Sequence, residues 1–275
     1  MQEIGFIVAA VFVTSVAAEL IWSRVAGHGV YSLKEALSNL GMMIVGNGLR
    51  PAATAWTLLV LSLLEPLRSV RMPETGWTFL VTFLVVDFAY YWYHRLSHEV
   101  PLLWAIHHAH HSSPWMNLTT AVRLNWIGKF LSPLFFAPLV LLGLPATFVA
   151  ASLAIGLLYQ FPLHTRAIGR LGRFEGTVLN TPSAHRVHHG SNARYIDRNY
   201  AGVFIIWDRL FGTYQPEDEQ VRYGVTTGFV GHNPIVVQFR PLWKYVCGQW
   251  RREKQNVSAQ GRTQRTVTCE GPTPG

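Results

Sequence analysis

The chain has 275 residues, of which 49% are hydrophobic and only 14% are charged, and it contains ten tryptophans. Soluble proteins of this length normally carry more charge, so the composition favours a membrane protein. The formal net charge of +8 predicts a basic face that meets a membrane surface, and in so apolar a chain nucleic acid is a poor partner. The two cysteines, Cys247 and Cys269, provide neither a disulfide framework nor a paired metal-binding motif.

Five apolar segments follow one another along the chain and predict about four to five transmembrane helices. They are 4–22, 41–64, 77–93, 126–144 and 146–163. The first segment lacks a basic leader and a clear cleavage site, so we expect a retained helix rather than a signal peptide. Asn47, Arg50 and Pro51 interrupt the second segment, which predicts a short or kinked helix. Gly143 and Pro145 predict the turn of a hairpin between the last two segments.

Histidines are clustered after the third and fifth apolar segments. His94 and His98 form an H-x-x-x-H pattern, and segments 107–111 and 185–189 each contain H-x-x-H-H. Because a two-helix hairpin lies between the earlier and later clusters, all of them are predicted on one side of the bilayer. Lys and Arg are abundant after residue 164, so we expect that side to be cytoplasmic.

The spacing of these histidines predicts metal ligands. His94 and His98 are four residues apart, on one face of a helix, and up to three imidazoles of each H-x-x-H-H cluster can converge if the segment is helical. One such pair is explained equally well by two surface histidines, but three clusters on one membrane face favour a metal site. Eight or nine imidazoles exceed what one ion can bind, so two ions are predicted. Nitrogen ligands suit Fe, Zn, Cu or Ni, and a site at a lipid interface favours iron and oxygen chemistry.

Longer segments around the histidines carry a family resemblance. They are DFAYYWYHRLSHEVPLLWAIHHAHHSS, NLTTAVR, LLYQFPLHT and LNTPSAHRVHHGSNARYIDRNYAGVFIIWDRLFGTYQPE. With the order of the histidine clusters, they resemble the fatty acid hydroxylase / sterol desaturase superfamily of membrane diiron oxygenases over roughly residues 30–240. Within the superfamily they are most similar to the branch that cleaves ether lipids, the alkylglycerol monooxygenases.

The resemblance implies an all-α integral membrane protein, with a helical membrane body beneath a cytosolic, histidine-rich helical cap at 94–111 and 164–225. We expect residues 1–254 to form one membrane domain and residues 255–275, which are polar and lack periodicity, to be a disordered tail. The metal ligands implied by the resemblance are His94, His98, His107, His110, His111, His185, His188 and His189, with His164 as a ninth.

The activity implied by the resemblance is oxygenation of a lipid C–H bond. The implied cofactors are two Fe ions, O2 and an external electron donor, which for this branch is tetrahydrobiopterin. The alternatives are a sterol or fatty-acyl hydroxylase or desaturase on the same scaffold, and a non-catalytic metal-binding membrane protein. Ala184 stands where the branch often has histidine, so the exact lipid and the electron donor stay open.

Several residues near the clusters have two interpretations. Glu99 either supports the ligands from an outer layer or is a solvated acid at a helix end. Four aromatic residues either line a substrate channel or anchor the chain at the membrane interface. These are Tyr90, Trp92, Tyr93 and Trp104. Asp208 is interpreted as a structural hydrogen-bond acceptor, and His28, His108 and His232 are expected to lie outside the metal site.

Overall fold

The computed structural model describes residues 2–68 and 70–249, and within them the chain forms ten α-helices. These are α1 Gln2–Val25, α2 Leu33–Gly48, α3 Arg50–Leu64, α4 Gly76–Glu99, α5 Pro101–His111, α6 Gly128–Leu141, α7 Ala146–Gln160, α8 Pro182–His188, α9 Ile206–Leu210 and α10 Pro234–Val246. Short 3-10 helices lie at Glu65–Leu67, Leu118–Val122, Phe161–Leu163 and Gly172–Phe174. The pairing between extended segments in these ranges is limited to two isolated bridges, Leu179 with Phe204 and Gly190 with Tyr223. The predicted all-α class is confirmed.

Two helices in the described ranges are long and apolar enough to cross a membrane, at Gly5–Val25 and Ala146–Leu163. Helices α3 and α6 are apolar but have only 15 and 14 residues, which corresponds to roughly 21–23 Å at 1.5 Å per residue. A bilayer core is about 30 Å thick, so these helices need flanking residues to cross it. The count of four to five spanning helices therefore stays a prediction.

The helix boundaries agree with the predicted interruptions. Helix α2 ends at Gly48 and α3 begins at Arg50, while Leu49 between them keeps a near-helical backbone with φ −80° and ψ −7°. The second apolar segment is therefore divided between two shorter helices, which is the first of the two predicted forms. The predicted hairpin turn also forms between α6 and α7, where Gly143 has φ +101° and a Cβ would lie 3.0 Å from the Val70 carbonyl oxygen. Glycine is required there by both the backbone angle and the close approach.

The packed interior lies between α4, α6 and α7. Its buried members are Val86, Phe136, Val140, Leu144 and Val149. This cluster fixes the last part of α4, which continues beyond the apolar segment 77–93 and carries the first two histidines. The body of the protein thus ends directly beneath the histidine clusters.

A sharp turn brings α5 against the end of α4. Val100 is extended, with φ −89° and ψ 118°, and Pro101 opens α5. Proline disfavours the helical conformation in the preceding residue but fits the first position of a new helix, so one helix ends and the next begins within two residues. The histidines of α5 consequently face those of α4.

Buried acids attach other segments to this body. Glu19 of α1 accepts hydrogen bonds from the Leu118 amide, at 2.8 Å, and from the Thr165 hydroxyl, next to His164. Asp87 of α4 accepts from the amides of Val203 and Phe204, at 2.9 and 3.1 Å. Both carboxylates lie inside predicted membrane segments, and both serve to hold distant parts of the chain in place.

Two expectations about chain organisation stay predictions. The first is that residues 1–254 form a single domain. The predicted tail at 255–275, with Cys269, lies outside the described residues. Cys247 is within them, and it is a free, exposed cysteine.

Candidate metal centre

The nine predicted histidines lie together in two groups. The first group contains His94, His98, His107, His111 and His188. The second group contains His110, His164, His185 and His189. Within each group the nearest ligand-type nitrogens all lie within 4.8 Å of one another, and either group could hold a metal ion. Eight of the nine side chains are buried, and His107 is half-buried.

The H-x-x-H-H clusters are divided between the groups. In α5, His107 and His111 enter the first group and His110 enters the second; at α8, His185 and His189 enter the second and His188 the first. Of the up to three imidazoles predicted to converge in each cluster, two share one group and the third lies in the neighbouring group. Residues i and i+4 share a helix face, whereas residue i+3 is displaced around the axis toward the neighbouring group.

Ring nitrogens face one another at short distances inside each group. In the first group, His107 Nε2 lies 3.1 Å from both His94 Nε2 and His111 Nε2. In the second group, His164 Nε2 lies 3.3 Å from His110 Nε2 and 3.0 Å from His185 Nε2. Two nitrogens that bind one ion at about 2.1 Å and at a right angle would be about 3.0 Å apart. The observed spacing is therefore that of neighbouring ligands.

The other ring nitrogen of four histidines bonds to the backbone. The carbonyl oxygens of Tyr200, Arg123, Gln160 and Arg198 accept from Nδ1 of His94, His110, His164 and His188, at 2.7, 3.3, 2.9 and 3.0 Å. A carbonyl oxygen can only accept, so Nδ1 carries the proton in each ring and Nε2 is left with a bare lone pair. This is the second layer of contacts that orients metal-binding histidines.

The Nε2 lone pairs of these histidines indicate a bound cation. His110 Nε2 and His164 Nε2 are both acceptors and lie 3.3 Å apart, an arrangement that is repulsive unless a positive charge lies between the rings. His188 Nε2 and His189 Nε2 are buried without a hydrogen-bond partner, although buried polar atoms are normally satisfied. Both observations fit a metal ion in each group.

Burial keeps the histidines uncharged. It lowers the pKa of His94 and of His164 to about 4, against an ordinary value of 6.5. For six more members of the groups, burial is again the main cause of a pKa well below 6.5, and the neighbouring imidazoles add to it. These are His107, His110, His111, His185, His188 and His189. The neutral form is the one that binds metals.

The remaining histidines lie outside both groups. His28 is exposed and its ring packs against Trp22 at 4.7 Å. His108 is buried on α5 but belongs to neither group. His232 lacks a partner nearby in sequence, yet its Nδ1 lies 2.6 Å from a carboxylate oxygen of Glu35.

For Glu99 and for Asp208, two acids near the site, the contacts in the structure indicate the role of each. Glu99 is exposed and pairs with Arg95 at 2.8 Å, which matches a solvated acid at a helix end. Asp208 is fully buried and accepts from the amides of Tyr200 and Ala201, both at 2.8 Å. It therefore holds the backbone that receives His94, as a structural acceptor.

In the described part of the chain, three aromatic rings contact the nine predicted ligands. One of them, Tyr200, is not among the aromatic residues named from the sequence. The Trp104 ring lies 5.0 Å from His98, and the Tyr90 ring lies 5.5 Å from His94. The Tyr200 ring lies 5.3 Å from His98 and is fully buried. Along the chain, Tyr200 is twelve residues from His188, the nearest predicted ligand that its ring contacts, at 6.2 Å, so spacing alone could not identify it.

Arg123 is the other supporting residue that sequence patterns missed. Its side chain is fully buried, and its Nε donates at 2.8 Å to the carbonyl of Ala109, which lies within the H-x-x-H-H segment 107–111. The same residue offers its own carbonyl to His110. The arginine in the segment NLTTAVR, which carries part of the family resemblance, is the signal that could have indicated this role, because a buried arginine must be paired.

Comparison with known proteins identifies relatives of this region. The Fatty acid hydroxylase family model matches residues 79–213, which contain all nine histidines. An alkylglycerol monooxygenase of Homo sapiens is 47% identical over 187 residues, or 68% of this chain and 42% of its own length. One from Danio rerio is 51% identical over 153 residues, 56% of this chain and 34% of its own. The ornithine lipid hydroxylase OlsE of Rhizobium tropici is 32% identical over 150 residues, 52% and 44% of the two chains.

These matches confirm the resemblance to the fatty acid hydroxylase family. The chain spans about two fifths of the length of the alkylglycerol monooxygenases from Homo sapiens and Xenopus tropicalis. No solved structure matches it. The two apolar helices and the family together indicate a membrane protein, and the histidine groups with the family fit an iron-dependent oxygenase.

Proposed function

Because residues 79–213 match the Fatty acid hydroxylase family model, we propose that this protein is a membrane-bound diiron oxygenase that attacks lipid C–H bonds. The substrate class that we propose is an alkylglycerol, a glycerol lipid carrying an ether-linked chain. Relatives named alkylglycerol monooxygenase, 47% and 51% identical to this chain, support that choice.

The observation that carries the proposal is the pair of histidine groups with inward-facing nitrogens. One iron would be held by His94, His98, His107, His111 and His188, and the other by His110, His164, His185 and His189. Imidazole is a ligand that suits iron. The contact between the rings of His111 and His189, stacked at 4.4 Å across the two groups, supports placing the two ions side by side.

When bound, the metal pair would supply activation of O2 and oxidation of the lipid. Overall, a CH2 group beside the ether oxygen, O2, two electrons and two protons would give a hemiacetal and water. The hemiacetal then loses the C–O bond to the ether oxygen, giving a fatty aldehyde and glycerol. Tetrahydrobiopterin or another external donor would provide the two electrons.

The protein residues have three tasks in this proposal. Neutral imidazoles bind the metals without adding charge, so the ions stay strongly electrophilic. Backbone carbonyls such as those of Tyr200 and Gln160 fix the direction of the ligand nitrogens. Burial of eight of the nine ligands excludes water, and His107, the half-buried member, marks the side from which we propose that the lipid approaches.

We also propose that the site faces the cytoplasm. The Arg and Lys residues after residue 164, which include Arg166, Arg170 and Arg173, support this orientation through the positive-inside rule. In that compartment a soluble reductant could reach the site directly.

The test is a comparison of lipids in cells that express the full chain or a variant. The variant carries His188→Ala and His189→Ala, one ligand from each group, and the matched control carries His28→Ala, an exposed histidine outside both. With an alkylglycerol supplied in air, we expect its loss and a new fatty aldehyde for the parent chain and the control only.

Other products would change the conclusion. A lipid heavier by one oxygen would indicate hydroxylation without ether cleavage, and one lighter by two hydrogens would indicate a desaturase. If the purified protein contains iron and receives a reductant but no lipid changes in an oxygen-dependent way, the oxygenase proposal is wrong.

A further inference from the structure

Part of the cap beyond the histidines exposes large apolar side chains. Phe174, Val178, Leu179 and Leu210 are 63%, 52%, 44% and 69% exposed; we call these four residues the apolar patch. Isolated exposed hydrophobics are ordinary, but a contiguous group marks a surface that meets a partner or a membrane.

The patch is contiguous because its two segments are bonded together. Leu179 pairs with Phe204 in an isolated bridge, and the Asn180 amide donates to the Val203 carbonyl at 2.7 Å. Arg209, next to Leu210, donates to the Gly176 carbonyl at 2.8 Å. The segments 174–180 and 203–211 therefore form one face of the cap.

This face lies alongside α4, well below the level of the histidines. The rings of Phe83 and Phe204 are 5.9 Å apart, and those of Phe88 and Trp207 are 5.0 Å apart. Phe83 precedes His94 by eleven residues, which is about 16 Å along a helix. Segment 203–211 thus reaches the middle of α4 and does not stay above the membrane body.

A contact with a second helix also lies on the membrane-body side of the histidines. The Tyr159 hydroxyl of α7 donates to the Asn180 carbonyl at 2.6 Å, and Tyr159 lies inside the candidate span Ala146–Leu163. The neighbouring Leu157 and Leu158 are 52% and 54% exposed. The apolar patch therefore continues the exposed apolar surface of a helix that itself is suited to lipid.

The buried carboxylate beneath this face is satisfied within the protein. Asp87 accepts from two backbone amides and, at 2.9 Å, from the Trp207 indole N–H. Irregular backbone is tolerated at membrane depth only when it is paired in this way. Arg173 lies over the Phe174 ring at 5.0 Å, an arrangement that lets a cation reach the headgroups while its stem covers apolar surface.

We propose that the apolar patch enters the interfacial layer of the same bilayer that holds α7, with the lipid surface as its partner. The cap would then be anchored beside the membrane body, and a lipid could pass to the histidines without entering water. The membrane contact follows from the packing of the patch, whereas its use in substrate delivery rests on the proposed function.

The depth of the patch can be measured without activity. In full-length protein carrying Cys247→Ser and Cys269→Ser, reconstituted into phospholipid nanodiscs, Leu210→Cys or Leu179→Cys is labelled with an environment-sensitive fluorophore. The matched control is Arg194→Cys, an exposed cap position that pairs with Asp218. Quenching by lipids with a nitroxide on the acyl chain is compared with quenching by iodide in the buffer.

We expect severalfold stronger quenching by the nitroxide lipid at positions 179 and 210 than at 194, and the reverse order for iodide. Equal iodide quenching at all three positions would overturn the proposal. Protection from both quenchers at 179 and 210 would also overturn it, because a protein partner or a second copy would then cover the patch.

A functional variant separates the two proposals. Leu179→Asp with Leu210→Asp should raise the KM for an alkylglycerol presented in the bilayer severalfold, while iron content stays unchanged. If the parent chain shows no turnover, the fluorescence result still decides whether the patch meets lipid.

Discussion

The buried ion pair between Arg123 and Glu35 provides the sharpest test of how the site is held together. Arg123 is fully buried, and its guanidinium nitrogen lies 2.9 Å from a carboxylate oxygen of Glu35, which is 1% exposed. Arg123 also donates to the Ala109 carbonyl and to Asn39 Oδ1, both at 2.8 Å. Its replacement by alanine would leave a buried carboxylate and two acceptors without their cation.

Removal of one partner from a buried pair costs about 3–5 kcal/mol, and a hydrogen bond from a charged group contributes about 1.5–3 kcal/mol. These contributions overlap, so we expect Arg123→Ala to lower the free energy of unfolding by about 4 kcal/mol. Arg123→Lys keeps the charge but loses the planar fork, and should cost roughly half as much. The control Arg194→Ala breaks a pair whose side chains are 58% and 32% exposed, and should cost at most about 1 kcal/mol.

The assay is reversible denaturant unfolding of the protein in detergent micelles, followed by far-UV circular dichroism, with iron content measured in parallel. Because the Arg123 side chain holds the α5 backbone at Ala109, next to His110, iron content should fall in Arg123→Ala but not in Arg194→Ala. If Arg123→Ala unfolds within 1 kcal/mol of Arg194→Ala and binds iron normally, the reasoning about this pair is refuted.

Three further predictions concern a substitution in the cap, the effect of low pH and the addition of iron. Gly202→Ala places a Cβ 2.8 Å from the Tyr90 ring and 3.1 Å from Asp87 Oδ1, so it should lower both the melting temperature and iron content; an unchanged melting curve would contradict the close approach. Burial holds the pKa of His94 and of His164 near 4 in the folded protein, so the unfolded state binds more protons. Metal-free protein should therefore lose stability as pH falls below about 6.5, and a flat pH profile of unfolding free energy would contradict this. Addition of Fe(II) to metal-free protein under anaerobic conditions should raise the melting temperature in proportion to the logarithm of free metal, and no such rise should occur in His188→Ala, His189→Ala protein.

Local spacing accounts for the pairs of histidines that lie four residues apart. Positions 94 and 98, or 107 and 111, share a helix face whatever the rest of the fold does, so their convergence follows from the helix alone. The hairpin turn at Gly143 and the helix boundary near Pro51 are also local, because glycine permits a positive φ and proline fixes its own φ. These features needed no knowledge of tertiary packing.

The partition of the ligands could not be read from spacing. Whether His110 joins His107 or His164 depends on how α5 packs against α4 and against the segment at residue 164, and helix packing is not encoded in a repeat of three or four residues. The contacts that support the site also join residues far apart in the sequence. His232 and Glu35, for example, are separated by 197 residues. Asp87 is a similar case, since its partners begin 116 residues later.

The interleaving of the two histidine groups has a consequence for assembly. Helix α5 contributes to both groups, and so does the segment from His185 to His189, so neither group can be completed while these backbones are mobile. An ion that binds one group orders the residues that the other group needs, and the ordering cost is met only once. We therefore expect the two ions to load cooperatively, with half-filled protein scarce at every metal concentration.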